Sequence, residues 1–283
     1  MPQCEEEVNK ELDLDSDFVL MEDPHPNSSS IHTDIRFFDG FGFDVKNNDY
    51  KVVRVLQTYE FVLQTYECNQ INTQAEVYSL STDSWKTIDA ANLPVWSVRH
   101  GLNINAPFRN CIFCWLGITR HTTKASSSYV EMGIPTIFVF DFSKEVFETM
   151  SLPDVCSKLA DFSRLRLASL KDNIACIESE DLLPWENGIY IIWVLNEYGV
   201  KESWTKLYTV RLEPYTHPIG VLNNGWIICE ECDDESSSAM AKLSLCGPVT
   251  QETNNLPIQG KFVFNVAVYK ESLVSFKKCK SCD

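Results

Sequence analysis

The stretch EVYSLSTDSWKTID, residues 76–89, joins two short apolar segments through a polar turn. Segments rich in Val, Tyr, Thr and Trp that are bounded by Asp and Ser favour β-strands, so this stretch predicts a β-hairpin. The same arrangement recurs as FVFDFSKEVFETMSLP (138–153), IWVLNEYGVKESWTKLYTV (192–210) and AKLSLCGPVTQETNNLP (241–257). In the first three copies an aromatic residue lies near the start of the second segment, as Trp85, Phe147 and Trp204. The four copies indicate a repeated structural unit.

The spacing of the copies predicts the kind of repeat. The three aromatic residues are 62 and 57 residues apart, and the turn of the fourth copy, near Thr250, follows Trp204 by about 46 residues. Repeats of about 40 to 50 residues with about four strands each are typical of β-propeller blades, and the longer spacings fit blades with extended loops. Stacked blades bury apolar faces that a single sheet would leave exposed. We therefore predict an all-β, propeller-like fold, in which Trp85 and Trp204 are expected to be blade-packing residues.

A shorter repeat, VLQTYE, occurs at 55–60 and again at 62–67. On a helix the seven-residue spacing would superpose the two copies, but two heptads are too few for a coiled coil, and Val, Thr and Tyr favour a strand. In one continuous strand the odd offset would point the copies to opposite faces. We predict that the first copy continues a strand beginning at Tyr50, and that the second lengthens the connection to the next strand.

Composition and charge exclude several classes of protein. The chain has 283 residues and is 44% hydrophobic, which is typical of a globular protein. The N-terminus lacks the positive and apolar regions of a secretory signal, and no apolar run reaches the length of a membrane span. Without a secretory signal, the eleven cysteines are expected to be reduced. These features predict a protein of the cytosol or nucleus that does not enter a membrane.

The net charge of −16 is unevenly distributed. Residues 1–23 contain nine acidic residues and one lysine, and therefore account for half of it. An acidic surface repels nucleic-acid phosphates and attracts basic partners, or it serves solubility alone. The sequence contains no basic patch with interleaved aromatic residues, so we expect no binding to nucleic acid.

Several segments, in this order along the chain, resemble the F-box-associated domain of plant F-box proteins. They are FGFD (41–44) with DYKVVR (49–54), EVYSL (76–80) with DSWK (83–86), IWVLNEYG (192–199) with ESWTKLY (202–208), and VYKESLVS (268–275). The resemblance extends over about residues 38–278 and is greatest to the S-locus F-box and S-locus F-box-like proteins of pollen.

This resemblance implies a kelch-like β-propeller that binds a protein substrate for an SCF-type ubiquitin ligase. In the S-locus members the substrates are basic stylar ribonucleases, the S-RNases, which act in self-incompatibility. The resemblance therefore implies a binding protein rather than an enzyme, with no cofactor.

The N-terminal part departs from the family pattern. Family members carry an F-box that docks on a Skp-type adaptor, and residues 1–35 contain no matching segment, so we expect an acidic, flexible extension there. We expect the F-box-associated domain to span 36–278 and a flexible tail to span 279–283. The family's first blade also has no counterpart, which predicts an incomplete or irregularly closed propeller. The alternative function is therefore an F-box-less binding module or decoy that does not engage the ligase.

Cysteine pairs and histidines provide no convincing chemical motif. Two CxxC pairs could form a tetrahedral zinc site, but the pair in CIFCWLG (111–117) lies in a predicted core strand, where the two side chains point to opposite faces. CEEC (229–232) is the nearest to a zinc knuckle, and CKSC (279–282) lies at the C-terminus. No histidine lies in a recognisable catalytic motif, so we predict neither catalytic nor metal-binding residues. The histidines next to Arg99 and Pro218, His100 and His217, are expected to be ordinary loop residues.

The densest acidic run after the N-terminus is the candidate partner-binding site. It consists of Glu230, Glu231, Asp233, Asp234 and Glu235. It is either a solvated loop tip or a docking site for a basic ligand. The polar segment 119–133 is a second candidate, with His121 and Tyr129 as its predicted contacts, because loops on a rigid scaffold often carry specificity.

Overall fold

The computed structural model describes residues 31–62, 67–90, 93, 95–98, 111–120, 133–156, 164–180, 187–232 and 240–261. In these ranges the chain forms β-strands and a short 3₁₀ helix at Lys201–Ser203, with no α-helix. Among the same residues, no helix has the length and apolar character that crossing a membrane requires. The prediction of an all-β fold is confirmed.

The strands form four sheets of four antiparallel strands, and the strands of each sheet follow one another along the chain. We call these sheets blades 1 to 4. Blade 1 contains β1 (Ile31–Asp44), β2 (Asp49–Val62), β3 (Glu67–Ser79) and β4 (Ser84–Ile88). Blade 2 contains β5 (Val95–Val98), β6 (Ile112–Arg120), β7 (Gly133–Asp141) and β8 (Val146–Met150).

Blades 3 and 4 repeat this plan. Blade 3 contains β9 (Leu165–Leu170), β10 (Asn173–Ser179), β11 (Gly188–Leu195) and β12 (Trp204–Leu212). Blade 4 contains β13 (Thr216–Val221), β14 (Ile227–Cys232), β15 (Met240–Cys246) and β16 (Thr253–Lys261). The four hairpins predicted from the sequence repeat are the last two strands of the four blades.

The first copy of the VLQTYE repeat continues the strand that contains Tyr50, as predicted, since it lies within β2. Val62 and Glu67, the two ends of the second copy, are the last residue of β2 and the first of β3 and pair with each other. The four residues between them, 63–66, lie outside the described residues.

Three apolar cores join neighbouring blades. The core between blades 1 and 2 includes Phe38, Val53, Val55, Val77, Trp115, Phe138 and Phe140. The core between blades 2 and 3 includes Cys114, Leu116, Val139, Leu165, Leu167, Ile174 and Trp204. The core between blades 3 and 4 includes Ala168, Ile177, Ile192, Val210, Ile227 and Cys229. Because each strand alternates between two faces, one face of each blade packs against one neighbour.

Glycine permits close contact between blades 1 and 2. A Cβ atom at Gly40 would lie 2.7 Å from Cζ2 of Trp115 and 2.9 Å from the Phe113 ring. Trp115 also donates from Nε1 to the carbonyl oxygen of Asp39 at 3.0 Å. Only glycine therefore lets β1 approach the blade 2 aromatic residues at this point.

A buried carboxylate organises the first turn and ties it to blade 2. Asp44 ends β1, is fully buried, and accepts the backbone amides of Lys46 at 3.0 Å and Asn47 at 3.2 Å. Ser143 of blade 2 donates its hydroxyl to the same carboxylate at 2.7 Å, and Lys51 forms an ion pair with it at 2.8 Å. Although burial opposes ionisation, these hydrogen bonds hold the Asp44 pKa far below its ordinary value.

Lys51 extends this contact across the junction. Its ammonium group donates to the carbonyl oxygen of Phe142 at 3.1 Å and to Glu145 at 2.8 Å. Although burial disfavours the charged form, the hydrogen bonds to Asp44 and Glu145 raise the Lys51 pKa. Lys86 of blade 1 pairs with the same glutamate at 2.7 Å. A charged network thus complements the apolar core between blades 1 and 2.

The propeller is open in the part of the chain that the structure describes. Hydrogen-bonded ladders connect strands only within each blade, and no core cluster there joins blade 4 to blade 1. The predicted propeller-like fold with incomplete closure is therefore confirmed for these residues.

Candidate functional site

The face of blade 1 that points away from blade 2 carries exposed aromatic residues. Cross-strand pairing places Phe41, Val52, Tyr78 and Trp85 in one row and Asp39, Arg54, Glu76 and Thr87 in the next. Residues directly opposite each other in a sheet share a face, so both rows lie on this side. We call this surface the blade 1 outer face and define it by Phe37, Phe41, Tyr50, Arg54, Tyr78 and Trp85.

Arg54 lies at the centre of the blade 1 outer face. Its guanidinium carbon is 5.1 Å from the centre of the Trp85 ring, within the range of a cation–π contact. The same side chain pairs with Asp39 at 3.2 Å and with Glu76 at 3.8 Å. The arginine thus contacts the Trp85 ring and two carboxylates at the same time.

The aromatic side chains around Arg54 are ordered by contacts with each other but remain open to solvent. Phe41 stacks on Tyr50 with ring centres 5.6 Å apart, and Tyr78 lies 5.4 Å from Trp85. Phe41 is 54% exposed and Trp85 is 44% exposed. Rings that are fixed and exposed can bury large apolar areas on a partner at a small cost in conformational entropy.

A cavity of about 620 Å³ lies beside this surface. Its lining includes Arg54, Leu56, Gln74 and Glu76, which lie on the same face, together with Thr87. The blade 1 outer face thus offers both a flat aromatic area and a recess with polar walls.

Trp85 corrects one sequence interpretation. Trp85 and Trp204 were both expected to pack between blades. Trp204 does so, since it is buried in the core between blades 2 and 3 and donates to the carbonyl oxygen of Ser151 at 2.9 Å. Trp85 faces the solvent side of blade 1, because the parity of β4 places it opposite Tyr78 rather than on the core side.

The structure places two of the predicted partner-binding residues in a strand. Glu230 and Glu231 both lie in β14, not at a loop tip. Glu230 is buried and pairs with His217 and Leu243, whereas Glu231 is half-buried and lines a cavity between blades 3 and 4. Asp233, Asp234, Glu235, His121 and Tyr129 lie outside the described residues.

Glu230 belongs to a polar group between blades 3 and 4. The negative charge of Glu230 acts to raise the Arg166 pKa, although burial of the guanidinium lowers it overall. Tyr190 donates its hydroxyl to the carbonyl oxygen of Thr216 at 3.1 Å and lies 3.0 Å from Nδ1 of His217. Because the Tyr190 hydroxyl donates its hydrogen to the carbonyl, its oxygen can accept a hydrogen bond from Nδ1 in the neutral imidazole tautomer that carries its hydrogen on Nδ1. Burial, with the positive charge of Arg166, lowers the His217 pKa.

This geometry differs from the expectation that His217 is an ordinary loop residue. It lies in β13, pairs with Glu230 across the sheet, and is held by Tyr190. The sequence next to Pro218 suggested a loop, but a register shift between Pro218 and Gly220 accommodates the proline in a strand.

The cysteine pairs are built into strands. Cys111 directly precedes β6 and Cys114 lies within it, and both are buried. They belong to different apolar cores, as the prediction of opposite faces required. Cys229 and Cys232 are buried within β14, so CEEC does not form a turn. Among the described residues, no group of three His, Cys, Asp or Glu side chains has a geometry that could hold a metal ion. Cys279 and Cys282 lie outside them.

The sequence matches the F-box associated beta propeller domain over residues 26–275. The chain belongs to the F-box-associated β-propeller family. The F-box-associated domain is 24% identical over 174 residues to the F-box protein CPR1 of Arabidopsis thaliana, a match that spans 62% of this chain and 40% of the relative. It is 25% identical over 193 residues to an F-box/kelch-repeat protein of the same plant, spanning 68% of this chain and 45% of the relative.

The chain therefore spans less than half the length of these curated relatives. Among solved structures, the F-box-associated domain is similar to Pyrococcus horikoshii acylaminoacyl peptidase, with 13% identity and a TM-score of 0.38. That match spans 73% of this chain and 37% of the archaeal protein.

Sequence reasoning missed the blade 1 outer face. The segment RFFDGFGF (36–43) has aromatic residues at both odd and even positions, so both faces of β1 are apolar. Such a strand is normally buried on both sides. That pattern could have revealed the surface if the position of blade 1 at the end of the array had been known.

Proposed function

We propose that this F-box-associated domain binds a protein substrate for an SCF-type E3 ubiquitin ligase and carries out no chemistry itself. The observation that carries the proposal is the blade 1 outer face, where aromatic rings and an arginine are exposed together on a rigid sheet. Aromatic and arginine side chains are enriched at protein interfaces and among their strongest contacts. The F-box relatives support the ligase context.

We further propose that the substrate is a basic protein of the S-RNase class, recognised in pollen. The net charge of −16 supports a basic partner, because opposite charge accelerates association. The resemblance of 38–278 to S-locus F-box-like proteins supports the ribonuclease class. The setting that fits such a ligase is the cytosol or nucleus.

Binding to a purified basic S-RNase tests the proposal. We expect association that weakens as salt is raised, since charge contributes to it. Phe41→Ala and Trp85→Ala should each weaken binding at least about ten-fold, as expected of a central aromatic contact. Leu207→Ala, a comparably exposed apolar residue on blade 3, is the matched control and should bind as the wild type does.

Two results would contradict the substrate proposal. One is a wild-type chain that binds no basic ribonuclease. The other is binding that the two aromatic substitutions leave unchanged, which would place the contact on another surface.

The ligase context is tested separately with a Skp-type adaptor. Size-exclusion chromatography with light scattering would measure the mass of the chain alone and of the mixture. A stable one-to-one complex would support direct engagement of the ligase. A monomer that does not bind the adaptor would favour the alternative function, a binding module that acts without the ligase.

A further inference from the structure

The blade 1 outer face is open along most of the length of β1. Side chains alternate between the two faces of a strand, so the odd-numbered residues of β1 lie on this side. Thr33, Ile35, Phe37, Asp39 and Phe41 are all exposed. Single apolar residues are ordinary on a protein surface, but a contiguous apolar area usually marks a contact with another molecule. This side of blade 1 is therefore a docking surface that the single chain leaves open.

The size of this surface matches one side of a stable protein interface. β1 and β2 each contain 14 residues and β3 contains 13. With a rise of about 3.3 Å per residue and about 4.8 Å between strands, three such strands cover on the order of 700 Å². Stable interfaces bury about 800 Å² on each partner. A second sheet of the same size would therefore bury enough area for a stable complex.

The other end of the array is closed to such a contact. Ile228, Glu230 and Leu243 lie on the face of blade 4 that points away from blade 3, and all three are buried within the single chain. Ile227 and Cys229, on the opposite face, belong to the core with blade 3. Blade 4 of one copy thus has no open apolar face here for blade 1 of another. Two copies can then meet only symmetrically, with the same surface used by both, which is the arrangement of most dimers.

The charges on the blade 1 outer face allow this symmetric contact. Arg54 and Glu76 are both partly exposed, and their ion pair within one chain is loose, at 3.8 Å. A two-fold axis that passes between these residues places each Arg54 opposite Glu76 of the other copy. The arrangement forms two ion pairs across the contact, and opposite charges at matching positions fix the orientation of an interface.

We propose that two copies of this chain form a symmetric dimer through their blade 1 outer faces. The dimer covers the surface that the substrate would contact, so self-association and substrate binding compete by mass action. The competition rests on the proposed function, whereas the dimer itself does not. A locally concentrated chain would thus hide its own binding surface until substrate draws on the monomer.

Sedimentation equilibrium of the intact chain, over micromolar concentrations, tests the dimer. We expect the average mass to rise with concentration from that of one chain towards that of two. Each copy has a net charge of −16, so added salt should strengthen the dimer by screening the repulsion between copies. Added salt should weaken binding to a basic ribonuclease. The opposite salt dependences distinguish the two contacts on one surface.

Substitutions locate the contact. Phe37→Lys should weaken self-association at least about ten-fold, because it places a charge inside an apolar interface. Leu207→Lys is the matched control, since it makes the same change in charge at an exposed apolar residue of blade 3, and it should dimerise as the wild type does. Arg54→Glu should also weaken the dimer, and the addition of Glu76→Arg should restore it, because the pairs across the axis are then exchanged.

Three results would overturn the proposal. They are a monomer at every concentration and salt, equal self-association of the two lysine variants, and a doubly exchanged variant no tighter than Arg54→Glu alone. A monomer that Phe37→Lys destabilises as strongly as a core substitution would show that another segment of the same chain covers the face, and would overturn it too.

The dimer and the substrate proposal can fail separately. A dimer that binds no basic ribonuclease would contradict the substrate proposal and leave self-association established. A monomer that binds the ribonuclease through Phe41 and Trp85 would support the substrate proposal and overturn the dimer.

Discussion

At the scale of single residues, Asp44 illustrates how a polar side chain can hold a β-protein together. It closes the turn after β1, accepts a hydrogen bond from blade 2, and pairs with Lys51 in a place that water does not reach. A buried ion pair is not in itself strongly stabilising, but removal of one partner leaves the other charge uncompensated. The stability of the junction between blades 1 and 2 should therefore depend strongly on whether the Asp44 carboxylate is present.

We predict that Asp44→Asn lowers the free energy of unfolding by about 3 to 5 kcal/mol, the usual cost of breaking a buried pair. Urea denaturation measures it. Asp39→Asn, which removes the exposed partner of Arg54, is the matched control and should cost less than about 1 kcal/mol. Equal losses in the two variants would show that burial of Asp44 does not govern its contribution.

The same carboxylate predicts how acid affects the protein. Its pKa is lowered by folding, so its contribution to stability is fully present above the unfolded pKa near 3.8 and is lost as the pH falls below that value. Asp44→Asn should therefore flatten stability against pH in this acidic range. If the free energy of unfolding of the variant fell with decreasing pH as steeply as that of the wild type, this explanation of the acid sensitivity would be wrong.

His217 should affect stability at a higher pH. The pKa of His217 is lowered in the folded chain. Above the unfolded pKa of about 6.5, the imidazole is therefore neutral in both the folded and the unfolded chain. As the pH falls below 6.5 the unfolded chain binds a proton first, and the free energy of unfolding decreases until the folded pKa is reached. His217→Gln should remove this part of the slope, as measured by urea denaturation between pH 5 and 8. A slope unchanged in the variant would contradict the prediction.

At the scale of elements, the position of a strand residue depends on which neighbour its face meets. Trp85 is the second residue of β4 and Trp204 is the first residue of β12, and these strands are the outer strands of blades 1 and 3. Blade 3 has a neighbour on the side that Trp204 faces, and that residue is buried. The described residues place no blade on the side that Trp85 faces, and it remains exposed.

We predict that the two tryptophans differ in their effect on stability. Trp204→Ala should lower the free energy of unfolding by about 3 to 5 kcal/mol, because it opens a cavity between blades 2 and 3 and leaves the Ser151 carbonyl oxygen without a donor. Trp85→Ala should cost about 1 kcal/mol or less, as is usual for an exposed residue. Thermal denaturation of both variants measures this, and a large loss from Trp85→Ala would show that its face is covered in solution.

At the scale of the whole molecule, the blades form an open array in which the two inner blades pack on both sides. Blades 2 and 3 each contribute to two apolar cores, whereas blades 1 and 4 each contribute to one. In repeat-like architectures stability depends on intrinsic terms and on contacts with immediate neighbours. The ends of the array should therefore open more readily than its middle.

Hydrogen exchange tests this arrangement. We predict that amides of β6, β7, β10 and β11 exchange more slowly than the corresponding amides of blades 1 and 4, because opening at the ends breaks only one core. Mass spectrometry of peptides from each blade measures the difference. Uniform protection across all four blades would indicate a closed ring.

Sequence periodicity was sufficient to predict the repeated hairpins but insufficient to predict which side chains meet between neighbouring strands. The four hairpins and the strand position of CIFC followed from local patterns, because alternation and turn residues act over a few neighbours. The strand position of Glu230 could not be predicted in this way. An acidic run usually indicates a solvated loop, and only pairing with His217 and Leu243 places this glutamate inside a sheet.

The sequence by itself determined the all-β class, the four hairpins and the family, because these depend on short-range pattern and residue order. The tertiary structure alone decided which face of each strand is buried and which charges pair. Those features depend on the blade that lies next to each sheet, and neighbouring sheets are brought together by residues far apart in the chain. The exposed rings of blade 1 and the buried Glu230 of blade 4 are both of this second kind.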